Sequence, residues 1–186
     1  GQPLLTASSR AALQISLWPF AFKPLDKEID GVLKIQNLDL KELPFLNVAH
    51  FDYGGRMDFS ATISGRPASP VVAADISVHR GHFGMKNGSD MDVPFSKLSA
   101  KLRYQKSKAT ADITLHRNTE QLLAINGVSD VSLSLMPFGF KPGTDMDASL
   151  MTRGLRLSML PLPKMPGADI GGKTDVTLRV RGDWKA

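Results

Sequence analysis

The sequence predicts an all-β protein: an elongated antiparallel sheet of repeated units with at most short helical turns. Three observations predict it. Apolar and polar residues alternate with period two over most of the chain, turn-forming dipeptides punctuate the alternating runs, and a long stretch recurs at a fixed offset.

In chain order, the first run is Leu13, Ile15 and Leu17, alternating with Gln14 and Ser16. Helical periodicity is limited to one short turn over 38–43, stopped by Pro44, whose ring cannot continue a helix. Met57, Phe59, Ala61 and Ile63 then alternate with Asp58, Ser60 and Thr62. Leu98, Ala100, Leu102 and Tyr104 follow, as do Ala109, Ala111, Ile113 and Leu115. Leu133 and Leu135 close a run begun at Val131, and Leu178 and Val180 close one begun at Val176. Successive side chains of a strand point to opposite faces, so each run has one apolar and one polar face. Antiparallel strands covered on one side read this way, whereas doubly covered parallel strands are apolar throughout. The pairs Gly54-Gly55, Asn87-Gly88, Asn126-Gly127, Pro142-Gly143 and Gly171-Gly172 are read as turns, where positive or fixed φ is needed.

The repeat is the most informative feature. Leu17-Trp18-Pro19-Phe20-Ala21-Phe22-Lys23-Pro24 recurs as Leu135-Met136-Pro137-Phe138-Gly139-Phe140-Lys141-Pro142, an offset of 118 residues. Leu38-Asp39-Leu40-Lys41-Glu42-Leu43-Pro44 recurs as Leu155-Arg156-Leu157-Ser158-Met159-Leu160-Pro161 at 117, and Gly54-Gly55 and Gly65 meet Gly171-Gly172 and Gly182 at the same 117. Residues 1–12 are therefore read as a lead-in from a preceding unit, 13–130 as one full unit and 131–186 as part of a second. Such a chain predicts an elongated array in which each unit contacts mainly its neighbours.

Composition narrows the function. The 186 residues carry 23 Lys+Arg against 18 Asp+Glu, a net +5 spread along the chain rather than clustered as a nucleic-acid patch would be. With no Cys there is neither a disulfide framework nor a thiolate zinc site. No stretch approaches the roughly 20 apolar residues of a membrane helix. The N-terminus does not read as a signal peptide, so the chain is expected to be a piece of a longer protein whose anchor lies outside it.

Chemical motifs are few. Gly167-Ala168-Asp169-Ile170-Gly171-Gly172-Lys173-Thr174 fits the phosphate-loop string, but a phosphate loop must open a helix, and Asp175–Arg181 alternates like a strand. His79 and His82 are near each other in sequence, with no third ligand nominated; they read as turn residues. Asp90/Asp92 and Asp145/Asp147 read as solvated loop carboxylates rather than an acid–base pair. Asn87-Gly88-Ser89 is formally a glycosylation sequon and more simply an Asn-Gly turn. No local signature favours a Ser-His-Asp arrangement. No enzyme, cofactor or metal is expected.

What remains is the apolar stripe. It is either the core of a closed sandwich or the wall of an open groove, and alternation alone does not separate the two. A further pattern bears on the choice. The Leu-x-Leu-x-x-Leu-Pro segment leads to a Gly-Gly-led alternating strand ending in Gly65-Arg66-Pro67-Ala68-Ser69-Pro70. Then come Ala74-Asp75-Ile76-Ser77-Val78-His79-Arg80-Gly81-His82-Phe83 and Val93-Pro94-Phe95-Ser96-Lys97-Leu98. This resembles the repeat units of AsmA-like, TamB-type proteins of the Gram-negative envelope, over nearly the whole chain. The resemblance implies strands curled into an open trough, a β-taco, in a periplasmic segment of an inner-membrane-anchored parent. It implies phospholipid as cargo and an outer-membrane barrel protein as a possible partner. The wall would be lined by Leu13, Ile15, Leu17, Met57, Phe59, Ile63, Leu98, Leu102, Ile113, Leu115, Leu133, Leu135, Leu178 and Val180. The competing expectation is a scaffold that takes up a client strand by β-augmentation.

Overall fold

The structure is a computed structural model that describes residues 4–10, 13–17, 20–24, 28–42, 51–85, 92–135, 138–156 and 172–182. Eleven strands account for nearly all of these: β1 Leu4–Arg10, β2 Leu13–Leu17, β3 Phe20–Pro24, β4 Ile29–Asp39, β5 Phe51–Arg66, β6 Ser69–Met85, β7 Asp92–Gln105, β8 Lys108–Arg117, β9 Glu120–Leu135, β10 Phe138–Arg156 and β11 Lys173–Gly182. The expected helical turn is a single 3-10 turn, Leu40–Glu42. Nine strands form one sheet in the order β1-β4-β5-β6-β7-β8-β9-β10-β11, while β2 and β3 form a separate two-stranded sheet. Every pairing is antiparallel. The large sheet does not close into a barrel: β1 and β11 are its two free edges.

The hairpin turns are not where glycine pairs suggested. Chain reversal between β7 and β8 is made by Lys106-Ser107, both at positive φ (50° and 59°), closed by the pair Gln105/Lys108. This is the two-residue turn whose twist matches the flanking strands, formed without the usual Asn-Gly. Asn118, at φ 54°, turns β8 into β9, and Pro67, with its ring-fixed φ, turns β5 into β6. Gly54-Gly55 instead lies inside β5, at a bulge between Gly54 and Arg56, with Gly55 at φ 136°. Asn126-Gly127 sits within the β9 ladder, and Pro142-Gly143 marks a register shift within β10. Asn87-Gly88 and Gly171 lie outside the described residues. None of the described glycine pairs marks a reversal; they lie inside strands, at a bulge, in a ladder or at a register shift.

The internal repeat recurs in hydrogen-bond register. Hairpin β2/β3 pairs Leu13 with Pro24 through Leu17 with Phe20, and the tip of β9/β10 pairs Val131 with Pro142 through Leu135 with Phe138. Likewise β4/β5, from Ile29/Gly65 to Asp39/Arg56, is matched pair for pair by β10/β11, from Met146/Gly182 to Arg156/Lys173. Both ladders carry a register shift at the same place, Ile35/Leu38 and Thr152/Leu155. Both put a residue at left-handed φ there, Asn37 at 58° and Gly154 at 59°. Both cap that residue with a carboxylate: the Asn37 amide donates to Asp58 Oδ1 at 2.8 Å, and the Gly154 amide to Asp175 Oδ1 at 2.7 Å. Asn and Gly are the residues that adopt this φ most readily, so the substitution between copies conserves backbone shape.

The curl is visible where β9 outruns its neighbour β8. Residues 131–135 bend along the rim formed by two hairpin turns: the Val131 amide donates to Ser107 O at 2.9 Å and the Leu135 amide to Pro67 O at 2.8 Å. Between them the Leu133 amide donates to the Tyr104 hydroxyl at 3.0 Å. This strap brings β9 into contact with β6, across the two intervening strands β7 and β8. Tyr104→Phe removes the acceptor for one of the three strap bonds. It is expected to lower stability by about 1 kcal/mol and to raise hydrogen exchange at Leu133 more than at Ile113.

Candidate functional site: an apolar trough wall

Directly opposed residues of an antiparallel pair share a face, so the registers define continuous rows across the sheet. One row runs Leu38, Met57, Val78, Leu98, Leu115, Leu123, Thr152, Val176 from β4 to β11; the next runs Ile35, Phe59, Ile76, Ala100, Ile113, Ile125, Leu150, Leu178. A third runs Leu33, Ala61, Ala74, Leu102, Ala111, Gly127, Ala148, Val180, and a fourth Gly31, Ile63, Val72, Tyr104, Ala109, Ser129, Met146, Gly182. The four rows make one apolar face. The opposite face reads Lys34, Ser60, Asp75, Lys101, Asp112, Asn126, Ser149, Arg179 in its central row, with Lys101 directly between Asp75 and Asp112.

Among the described residues no second layer covers the apolar face. Leu102 is 41% exposed, Leu178 54% and Val180 45%, and of the apolar side chains in these four rows only Val78 and Ala100 are buried. A sandwich with this many Leu, Ile and Val on one face would bury most of them fully. Beside the strap a cavity of about 360 Å³ opens in the wall between Val72, Leu102, Tyr104, Ala109, Ala111, Gly127, Met146 and Ala148. Small side chains make the hollow: a Cβ added at Gly127 would have only Ala148 Cβ near it, at 3.9 Å.

Of the residues expected to line the wall, Met57, Phe59, Ile63, Leu98, Leu102, Ile113, Leu115, Leu178 and Val180 stand on this single face. Leu133 and Leu135 continue the same side of β9 onto the strap, opposite the exposed Phe140 and Phe138. Leu13, Ile15 and Leu17 lie on β2, and their side chains are outside the described ones. Sequence reading missed the contributions of β4, β6 and β10. In β6 the run Val71-Val72-Ala73-Ala74 hides the alternation, because the outward positions are also apolar. In β4, Ile29, Gly31, Leu33 and Ile35 do alternate with Asp30, Val32 and Lys34, a signal that was present.

No family model, curated relative or solved structure matches the chain.

The remaining motifs take different places. Lys173 and Thr174 of the phosphate-loop string begin β11, a strand, so no helix N-terminus follows them. His79 and His82 are in β6 rather than in a turn, 3.6 Å from Asp58 and 3.5 Å from Asp52 respectively. No cluster of three potential metal ligands exists among the described residues. Asp90 is outside the described residues; Asp92 opens β7.

Asp145 and Asp147 are within β10 rather than in a loop. Arg179 grips Asp147 with Nε at 2.9 Å from Oδ1 and Nη2 at 2.6 Å from Oδ2, and Arg181 adds Nε at 3.0 Å. The Arg179 hydrogen bonds, opposed by partial desolvation and supported by Arg181, hold the Asp147 carboxyl down to about 2. A lowered carboxyl pKa stabilises the fold above the ordinary carboxylate value, and this contribution disappears as pH falls through about 2. A carboxyl-carbon NMR titration should find that midpoint, and Arg179→Ala should move it up toward 3.8.

Proposed function

We propose that this chain is a section of a periplasmic, inner-membrane-anchored lipid-transfer protein whose trough carries phospholipid acyl chains between the inner and outer membranes. The observation that supports this reading is the apolar face, uncovered among the described residues, that runs across eight strands from β4 to β11 with no charge in its four rows. An apolar surface of this extent on a single-layer sheet marks a binding surface. The resemblance of the repeat unit to AsmA-like, TamB-type proteins supplies the cargo and the compartment.

The physics of such a trough is passive. Drawing a chain from bilayer into water costs roughly 0.8 kcal/mol per CH₂, so ten methylenes already oppose transfer by about 8 kcal/mol on that scale. A wall of Leu, Ile, Val and Ala offers an environment close to the bilayer interior, so transfer onto it is near neutral and chains can keep moving. Headgroups would stay at the mouth, in water. No residue performs a chemical step, and no cofactor is involved.

Native mass spectrometry of the purified protein after incubation with phosphatidylethanolamine and phosphatidylglycerol vesicles is the direct test. Discrete phospholipid adducts are expected. A protein that stays bare while its sheet remains folded by circular dichroism would remove the proposal.

A further inference from the structure

We propose that the outward edge of β11 is a docking seam for one antiparallel strand of the β6 type, carrying a carboxylate one diagonal step from Arg179. This inference does not rest on the lipid reading. It rests on the register identity between β4/β5 and β10/β11. Because the two ladders match pair for pair, with the same shift and the same capped left-handed residue, β11 faces outward with the backbone groups that β5 presents on its far side. On β5 that side is filled by β6 over its whole length. On β11 no described strand pairs with that side, and every described residue of the strand but Thr174 is exposed.

The edge is also unguarded. Natural edge strands are blunted by proline, bulges or outward charges. β11 contains no proline, its one irregularity lies at its start opposite Thr152/Leu155, and its two arginines are turned back onto Asp147 of β10.

Register selects the occupant. Arg179 and Arg181 both bind Asp147, and Asp175 stands further along the same face of β11. A strand docked in the β5/β6 register places its Ala73 opposite Arg179, since Thr62 occupies that position in β5 and pairs with Ala73. Its Asp75 then stands one diagonal step from Arg179. The same relation already exists within the sheet: Arg103 is opposite Ala73 and holds Asp75 through Nη2 at 2.8 and 3.0 Å.

The test adds a synthetic peptide of residues 69–85 to the full chain and follows amide hydrogen exchange by NMR. Expected is protection of alternate β11 amides, those not already bonded to β10, with no change in β1. The Asp75→Asn peptide should bind about 2- to 5-fold more weakly, the range of an exposed ion pair. Protection at β1 or on the trough wall instead, no binding at millimolar peptide, or equal affinity of the two peptides overturns the proposal. So does a concentration-dependent dimer that protects the same amides without peptide, because the edge would then belong to a second copy. Vesicle adducts are unaffected by any of these outcomes, so the seam and the lipid reading fail separately.

Discussion

Aspartate in place of Leu102 or Ile113 is expected to reduce phospholipid occupancy by two orders of magnitude or more while leaving the sheet folded. Both side chains stand on the trough face, and Leu102 borders the hollow beside the strap. Leu102 is 41% exposed, so the free protein tolerates a charge there in contact with water. Once an acyl chain covers the position, the carboxylate loses its hydration with no partner on the wall, which costs several kcal/mol. Asp112, next to Ile113 but on the opposite face, provides the control: Asp112→Asn should change occupancy little. Adduct counting by native mass spectrometry, or photo-crosslinking to lipid in cells, reads the difference. Normal occupancy in both aspartate variants would mean that lipid, if bound, lies elsewhere.

Gly81→Ala is expected to destabilise the molecule strongly for a single methyl group, by about 2–4 kcal/mol. Gly81 is buried at the β5/β6 bulge, where a Cβ would run into the Phe95 ring and stand 2.6 Å from the Gly54 carbonyl oxygen. The ring can turn away; the carbonyl belongs to the backbone of the neighbouring strand and cannot move without breaking the bulge. Phe95→Ala in the same chain should therefore restore only part of the loss. Gly127→Ala, with open space around it, should fall within about 0.5 kcal/mol of the parent. Urea midpoints of the three variants decide the point, and equal midpoints for Gly81→Ala and Gly127→Ala would refute this account of the bulge.

These two glycines also show what was legible in the sequence. Alternation announced an antiparallel sheet with one apolar face because a strand's side-chain period is fixed at two residues. The repeat offset of 117 to 118 residues foreshadowed registers that the ladders then reproduce. Glycine pairs misled, because the same conformational freedom serves a turn, a bulge and a tight strand crossing, and only the partner strand tells them apart. Gly54-Gly55 faces Arg80-Gly81 across a bulge, whereas the real reversal at Lys106-Ser107 has no glycine at all. The wall was only partly readable for a related reason. Where the outward side also takes apolar residues, as at Val71 and Ala73 in β6, the contrast between faces vanishes from the sequence and survives only in the pairing. The strap was invisible, since Tyr104 and Leu133 are 29 residues apart and nothing local connects them.

The odd number of strands in the large sheet has its own consequence. With nine antiparallel strands, β1 and β11 run in the same sense. Setting the last edge of one molecule against the first edge of another, side by side in one continuing sheet, would create a parallel seam inside an otherwise antiparallel ladder, a weaker and differently slanted set of hydrogen bonds. Identical molecules tiled by simple translation, the geometry from which fibres grow, would therefore meet at each seam through the less stable kind of ladder. Strand parity tilts the two open borders away from self-polymerisation.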